Sequence, residues 1–329
     1  MVSNQLEPKA IFHLINGKLL QLESEIENRL DSHIDIISRI GEHIYQSKGK
    51  RIRPALVLLS ARLGGYRGDK DILYGMIMEF IHTASLIHDD IVDGAAIRRG
   101  MPSINFRWGN DLTVLLGDYI YINSIDIALR QDNLNILRLI SSITKNMIEA
   151  ELIQTTKRAD ITISEEEYTE IIKGKTAYLF SGCSQIGGIL ADVSSQQEQA
   201  LRAYGLNLGL AFQLIDDLLD YFATEEELGK PVGTDLKEGK VTLPLIYLLQ
   251  KADKSLLKMM KKGLQGKEPY PLFWKDIVQL MRDYGIEAAI QQKALHYATI
   301  AKHSLTPFDK SPARQAMEGL ADFVVYRDR

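Results

Sequence analysis

Two acidic runs share one form: Asp89-Asp90-Ile91-Val92-Asp93 and Asp216-Asp217-Leu218-Leu219-Asp220. On a helix, residues four apart stand one turn, ~5.4 Å, along the same face. Asp89 then pairs with Asp93, and Asp216 with Asp220. Carboxylates grouped in this way repel one another and are costly on an apolar helix unless a cation lies between them. Mg²⁺ suits the task, because it takes hard oxygen ligands at ~2.0–2.1 Å and completes its shell with water and substrate phosphates. The spacing is not that of an EF-hand loop. One such run is equally well a solvated helix end. Two, each closing a strongly apolar segment, point to a shared cavity that holds a diphosphate from both sides.

Basic residues suited to that ligand lie close by in sequence. Arg98-Arg99 follows Asp93, and Gly49-Lys50-Arg51-Ile52-Arg53-Pro54 forms a second cluster. Lys175, Lys230 and Lys240 are further candidates near the other helices or after Asp220. Guanidinium forks bind phosphate oxygens in pairs, and lysine adds a mobile point charge. Arg51, Lys173 and Lys237 read as ordinary surface charges. His82, seven residues before Asp89, reads on its own as a core histidine. His88 points about 100° away from Asp89 on a helix and receives no ligand role.

The elements that must carry these residues are helices. Apolar residues recur at three- and four-residue steps from Ile11 to Ile44, and alternating β-branched runs are nearly absent. Breakers stand at Gly64-Gly65, Gly100-Met101-Pro102, Gly229-Lys230-Pro231 and Pro269-Tyr270-Pro271. Ser164 with Glu167 reads as a capping box. The segments Ile72–Val92 and Leu201–Tyr221 are apolar on more than one face, which places them at the centre of a large bundle. No linker or repeat divides the chain, so residues 1–329 are expected to form one all-α domain.

A formal charge of -4 argues against a general nucleic-acid binder. The single cysteine, Cys183, excludes an intrachain disulfide and reads as a buried filler. The N-terminus has no leader pattern, and no uninterrupted apolar run reaches the ~18 residues of a membrane span. The default expectation is a cytoplasmic protein.

Taken together, the motifs resemble those of the trans-isoprenyl diphosphate synthases, from about Gly49 to Leu245. They are Gly49-Lys50-x-x-Arg53-Pro54, His88-Asp89-Asp90-x-x-Asp93 with Arg98-Arg99-Gly100, Gly174-Lys175-Thr176-Ala177, Phe212-Gln213-x-x-Asp216-Asp217-x-x-Asp220, Leu228-Gly229-Lys230-Pro231, and Gly239-Lys240-Val241-Thr242-Leu243-Pro244. The resemblance implies a helical bundle around a deep central cavity, an isoprenoid synthase-like fold, usually homodimeric. It implies that Asp89, Asp90, Asp93, Asp216, Asp217 and Asp220 hold two or three Mg²⁺ ions on an allylic diphosphate such as farnesyl or geranyl diphosphate. Arg98, Lys175, Thr176, Gln213, Lys230 and Lys240 would contact that diphosphate, with Lys175 also counted among the catalytic groups. Lys50, Arg53, His82 and Arg99 would take isopentenyl diphosphate.

Product length is expected to follow from the helix before Asp89. Going N-terminal, Ser85 and Ala84 come first, then Ile81, then Met78 and Ile77, then Tyr74. Family members with short products place aromatics where this chain has Ala84 and Ser85. Small residues there let the tail pass, so a product of about six to ten isoprene units is expected, with octaprenyl the best single reading. The ending Val325-Tyr326-Arg327-Asp328-Arg329 also resembles long-chain members. A helix spanning Asn123 to Leu139 is a candidate floor. Glu149, Glu151 and Gln154 form a polar set that orients metal-bound water or lines the bundle. Alternatives are the catalytic subunit of a heterodimeric hexa- or heptaprenyl synthase and a terpene cyclase, against which the paired aspartate motifs and the Gly-Lys-x-x-Arg cluster speak. Peripheral membrane contact for product release is compatible with all of this.

Overall fold

The computed structural model describes residues 8–47, 49–224, 232–264 and 270–327. Among them, strand occurs only as a hairpin of β1 (Ile97–Arg98) and β2 (Met101–Pro102), with Arg98 opposite Met101. All other regular structure is helical, as the periodicity requires. The stretch from Ile11 to Ile44 is three helices, α1 (Pro8–His13), α2 (Asn16–Leu30) and α3 (Asp35–Gln46). Its apolar phase carries across the turns because Ile15, Leu22, Ile26, Leu30 and Ile40 are all buried in one core.

Four helices form the centre. α4 (Ile52–Leu63) packs against α5 (Lys70–Val92) and against α10 (Tyr178–Leu190), which in turn packs on α11 (Ser195–Phe222). α4 is buried continuously from Pro54 to Ala61. That continuity explains an apolar sequence without a polar stripe. Around them lie α6 (Ile104–Trp108), α7 (Asn110–Leu129), α8 (Leu134–Thr156) and α9 (Glu165–Ile172). The C-terminal part adds α12 (Thr234–Lys237), α13 (Leu243–Gln250), α14 (Lys254–Leu264), α15 (Tyr270–Asp283), α16 (Ile286–Ser304) and α17 (Pro312–Tyr326). α16 packs along α11 and α17. One cluster of buried apolar residues runs from Ile11 to Val325 and includes Cys183, which is fully buried as a filler.

The capping box at Ser164 is present. Its hydroxyl accepts from Glu167 N at 3.1 Å, and Glu167 accepts from Ser164 N at 2.9 Å. The candidate floor helix over 123–139 is divided instead. α7 stops at Leu129, Asp132 takes a left-handed φ of 53°, and Asn133 caps α8 by accepting from Ile136 N. A capped turn interrupts what had read as one periodic segment.

α7 is apolar and long enough, by length and composition, to cross a membrane, and 39% of its most apolar window is buried inside the bundle. It packs along α5.

Candidate active site

The last turns of α5 and α11 bring the two aspartate runs to one hollow. Asp89 and Asp216 both line a polar chamber of about 500 Å³ and an apolar cavity of about 680 Å³ that share Arg53, His82, Lys175, Phe212 and Gln213. The polar chamber adds Asp93, Asp217, Asp235 and Lys240. The apolar cavity continues past Ala84, Ser85 and Ile81 of α5 toward Tyr121, Thr144 and Met147.

Within the first run the carboxylates face different ways, since successive helical residues turn about 100°. Asp89 faces the hollow, 3.7 Å from Lys175 Nζ, and its pKa is raised by burial against the opposing pull of Lys175. Asp93, at the helix end, accepts from Lys240 Nζ at 2.7 Å and Arg158 Nη2 at 2.6 Å. Asp90 turns to the far side, 2% exposed, where Arg98 grips it through Nε at 2.6 Å and Nη2 at 2.5 Å. Arg98 therefore borders the chamber as a group already committed to Asp90.

The second run divides in the same manner. Asp216 opens on the hollow and is held by Arg327. Asp217 is buried and accepts from Tyr168 Oη at 2.5 Å and Gln213 Nε2 at 2.7 Å, while Thr176 Oγ1 donates to Gln213 Oε1 at 2.7 Å. Burial and the neighbouring Asp235 push the Asp217 pKa up to about 8. Asp220 is 1% exposed and accepts from Asp235 N at 3.0 Å, so it holds the chain after α11.

Lys175 and Thr176 sit on a π-helical turn, Lys173–Ala177, between α9 and α10. Such an insertion re-aims side chains that an unbroken helix would turn elsewhere. The turn fits only because Gly174 lies against α8, where a Cβ would stand 2.5 Å from the Ala150 Cβ. Lys175 Nζ donates to Glu151 at 2.5 Å and Gln154 at 2.9 Å. The polar set on α8 is therefore split. Glu151 and Gln154 serve Lys175, whereas Glu149 pairs on the exposed face with Lys145 at 3.6 Å, because two residues along a helix are ~200° apart.

The cationic basin holds Lys50, Arg53, His82 and Arg99. Arg53 is half-buried with its guanidinium 5.1 Å from the Phe180 ring centre, and its buried Nε has no hydrogen-bond partner among the described residues. Burial, followed by the charges of Arg53 and Arg99, drives the His82 pKa well below its usual value, so the ring is neutral. Lys240 is held charged. Burial opposes its charge, but Asp235, Asp93 and Glu238 together raise its pKa above the ordinary lysine value. Lys230 lies outside the described residues. Arg51, read from sequence as a surface charge, is instead half-buried in an ion pair with Glu23 and Glu79.

The groups that the two aspartate runs turn to the hollow, Asp89, Asp93, Asp216 and Asp217, are carboxylates, which fit a hard divalent cation. Among the described residues, no three carboxylate, imidazole or thiol groups converge closely enough to hold an ion by themselves.

Residues 34–274 match the family model for polyprenyl synthetase. This chain belongs to the polyprenyl synthetase family. It is similar to octaprenyl diphosphate synthase of Escherichia coli, 38% identical over 94% of this chain and 95% of the relative. It is 33% identical to heptaprenyl diphosphate synthase component 2 of Bacillus subtilis over 98% and 91%. Among solved structures, it superposes on a polyprenyl synthase from Caulobacter crescentus complexed with calcium and isoprenyl diphosphate. The TM-score is 0.94 at 34% identity, covering 98% of each chain. The family relation carries trans-prenyl diphosphate synthase activity and the isoprenoid synthase helical fold.

Several residues of this synthase that border the site received no site role from the sequence. Asp235 lines the chamber and raises the Asp217 pKa. Its only sequence signal is its place five residues before Lys240. Tyr168 lines the chamber and donates to Asp217. Arg327 reaches the hollow from the C-terminal end and borders the chamber. Its Nε and Nη1 are buried and have no hydrogen-bond partner among the described residues.

Proposed function

We propose that this synthase condenses isopentenyl diphosphate with farnesyl or geranyl diphosphate, repeatedly and in trans, in a Mg²⁺-dependent reaction that yields a long-chain product, octaprenyl diphosphate being the preferred assignment. The observation that carries this reading is the facing of Asp89 and Asp216 across a polar hollow that opens directly into an apolar cavity past Ala84 and Ser85. Asp89, Asp93 and Asp216 would hold the metal ions, with Asp217 beside them. Asp90 and Asp220 would brace the two runs through Arg98 and the Asp235 amide. Bound Mg²⁺ would supply positive charge against the departing diphosphate.

The allylic diphosphate is assigned to Arg98, Lys175, Thr176, Gln213, Lys230 and Lys240, and isopentenyl diphosphate to Lys50, Arg53, His82 and Arg99. Cationic groups fixed before the reaction favour ionisation of the allylic C–O bond. The isopentenyl double bond then attacks C1 of the allylic cation through its C4, leaving a cation at C3, and loss of a proton from C2 to the released diphosphate forms the new double bond. The apolar cavity keeps water from the cation.

Residues 1–329 are read as one domain, acting as a homodimer. Ile122 on α7 and Ile148 and Leu152 on α8 are each more than half exposed, the last two at the border of the apolar cavity. A second copy would be a natural cover for such exposed apolar residues. The test is incubation of the purified chain alone with Mg²⁺, labelled isopentenyl diphosphate and farnesyl diphosphate, followed by chain-length analysis. A ladder ending near eight isoprene units supports the reading. Cyclic hydrocarbon without isopentenyl diphosphate uptake overturns it. Activity only after adding a second protein favours the heterodimeric alternative.

A further inference from the structure

Arg51 borders the chamber between two groups of the isopentenyl diphosphate basin, Lys50 and Arg53, but its guanidinium is taken up by two carboxylates. Nε donates to Glu23 Oε1 at 2.6 Å, Nη2 to Glu23 Oε2 at 3.2 Å, and Nη1 to Glu79 Oε1 at 2.7 Å. Glu23 belongs to α2 and Glu79 to α5, so one guanidinium ties the start of α4 to two other helices. Glu79 is 5% exposed and Arg51 14%, which keeps the bridge out of bulk solvent. Burial opposes the Arg51 charge, but the bond to Glu23 and the field of Glu79 more than offset it.

The backbone shows what the bridge holds. Arg51 has φ 52° and ψ 33°, the left-handed region that residues with a Cβ avoid. It is the residue just before α4, and its carbonyl accepts the Ala55 N–H at 3.0 Å to open that helix. This reversal decides where Lys50 enters the chamber and where Arg53, in the first turn of α4, projects. An unfavourable backbone state persists only where its surroundings impose it.

We propose that the Glu23–Arg51–Glu79 bridge is a positioning device for isopentenyl diphosphate, holding the left-handed turn that aims Lys50 and Arg53 at the incoming diphosphate. Arg51 is thus a positioning residue. The inference rests on the reading of that basin as the isopentenyl diphosphate site. Glu79 also balances the basin, being the leading opposing charge for both Arg53 and Arg99. Glu23 does not line the chamber, so it can affect substrate only through Arg51.

The experiment is a kinetic split on Arg51→Ala, Arg51→Lys, Arg51→Gly and Glu23→Ala, with melting curves alongside. Arg51→Ala is expected to raise KM for isopentenyl diphosphate about tenfold while KM for farnesyl diphosphate stays within about twofold. Arg51→Lys, which keeps the charge but loses the fork, recovers part of the loss. Arg51→Gly, which relaxes the backbone but lacks the bridge, behaves like alanine. Glu23→Ala, the mildest change to folding, shifts the same KM in the same direction by a smaller factor. An unchanged KM for isopentenyl diphosphate in Glu23→Ala and Arg51→Gly, with lowered melting temperature only, overturns the proposal, as does an equal rise in both KM values. Absence of isopentenyl diphosphate incorporation by the wild-type chain overturns the functional reading itself and is seen before any variant is made.

Discussion

Arg327 lays its guanidinium 3.7 Å over the Phe212 ring centre and donates through Nη2 to the Phe212 carbonyl at 3.0 Å and to the Asp216 carboxylate. A cation from the end of the chain therefore occupies one oxygen of an aspartate assigned to metal. The two cations compete. In Arg327→Ala the Mg²⁺ concentration for half-maximal activity is expected to fall by roughly fivefold, the equivalent of a partly exposed ion pair of about 1 kcal/mol. Stability should drop by about 1–2 kcal/mol through the lost ring contact and pairing. Mg²⁺ titration of activity and a melting curve check both, and a higher Mg²⁺ requirement would mean that Arg327 prepares Asp216 for the metal.

Asp217 gives a pH signature. Its pKa rises from 3.8 to about 8 on folding, so between those values the folded chain binds more protons than the unfolded one. Stability from this group is present at low pH and is lost as pH rises through about 8. In metal-free buffer the melting temperature should fall from pH 5 to pH 8 more steeply in the wild type than in Asp217→Asn. Parallel pH curves for the two proteins would contradict this.

Asp89 and Asp90 are adjacent but opposed in direction, and their variants should part accordingly. Asp89→Asn removes a group that faces the hollow, and activity should fall by at least about a hundredfold with little change in melting temperature. Asp90→Asn leaves Arg98 without its buried partner, which costs about 1–3 kcal/mol of stability as well as activity. Circular dichroism melting beside initial rates separates the two patterns.

Product length should respond to the wall of the cavity. Ala84 and Ser85 line it one turn below Asp89 and Ile81 two turns below, ~12 Å down the helix. Ala84→Phe or Ser85→Phe should shorten the main product by several isoprene units. Tyr121→Ala, on the opposite wall from α7, should lengthen it. Chromatography of the dephosphorylated products reads both, and an unchanged ladder in Ala84→Phe would remove α5 as the ruler.

Much of the fold was legible because it is written in short-range pattern. The helices α5 and α11, the capping box at Ser164 and the buried Cys183 each depend on a few neighbouring residues. The reading failed where a periodic stretch held a hidden turn. A run of period 3.6 does not reveal that Asn133 caps a new helix, and Ile11–Ile44 keeps its phase through two breaks. Arg51 looked like a surface charge because its partners are Glu23 and Glu79, each 28 residues away.

Residue type and spacing alone determined that two aspartate runs would each sit on an apolar helix with arginines and lysines near in sequence. Those are local properties of a 3.6-residue repeat. Tertiary structure decided which carboxylates face the hollow and which are taken by other partners. Lys240 reaches Asp93 across 147 residues and Arg327 reaches Asp216 across 111. Such pairings depend on how whole helices pack, a sum of many small contacts that no single motif encodes.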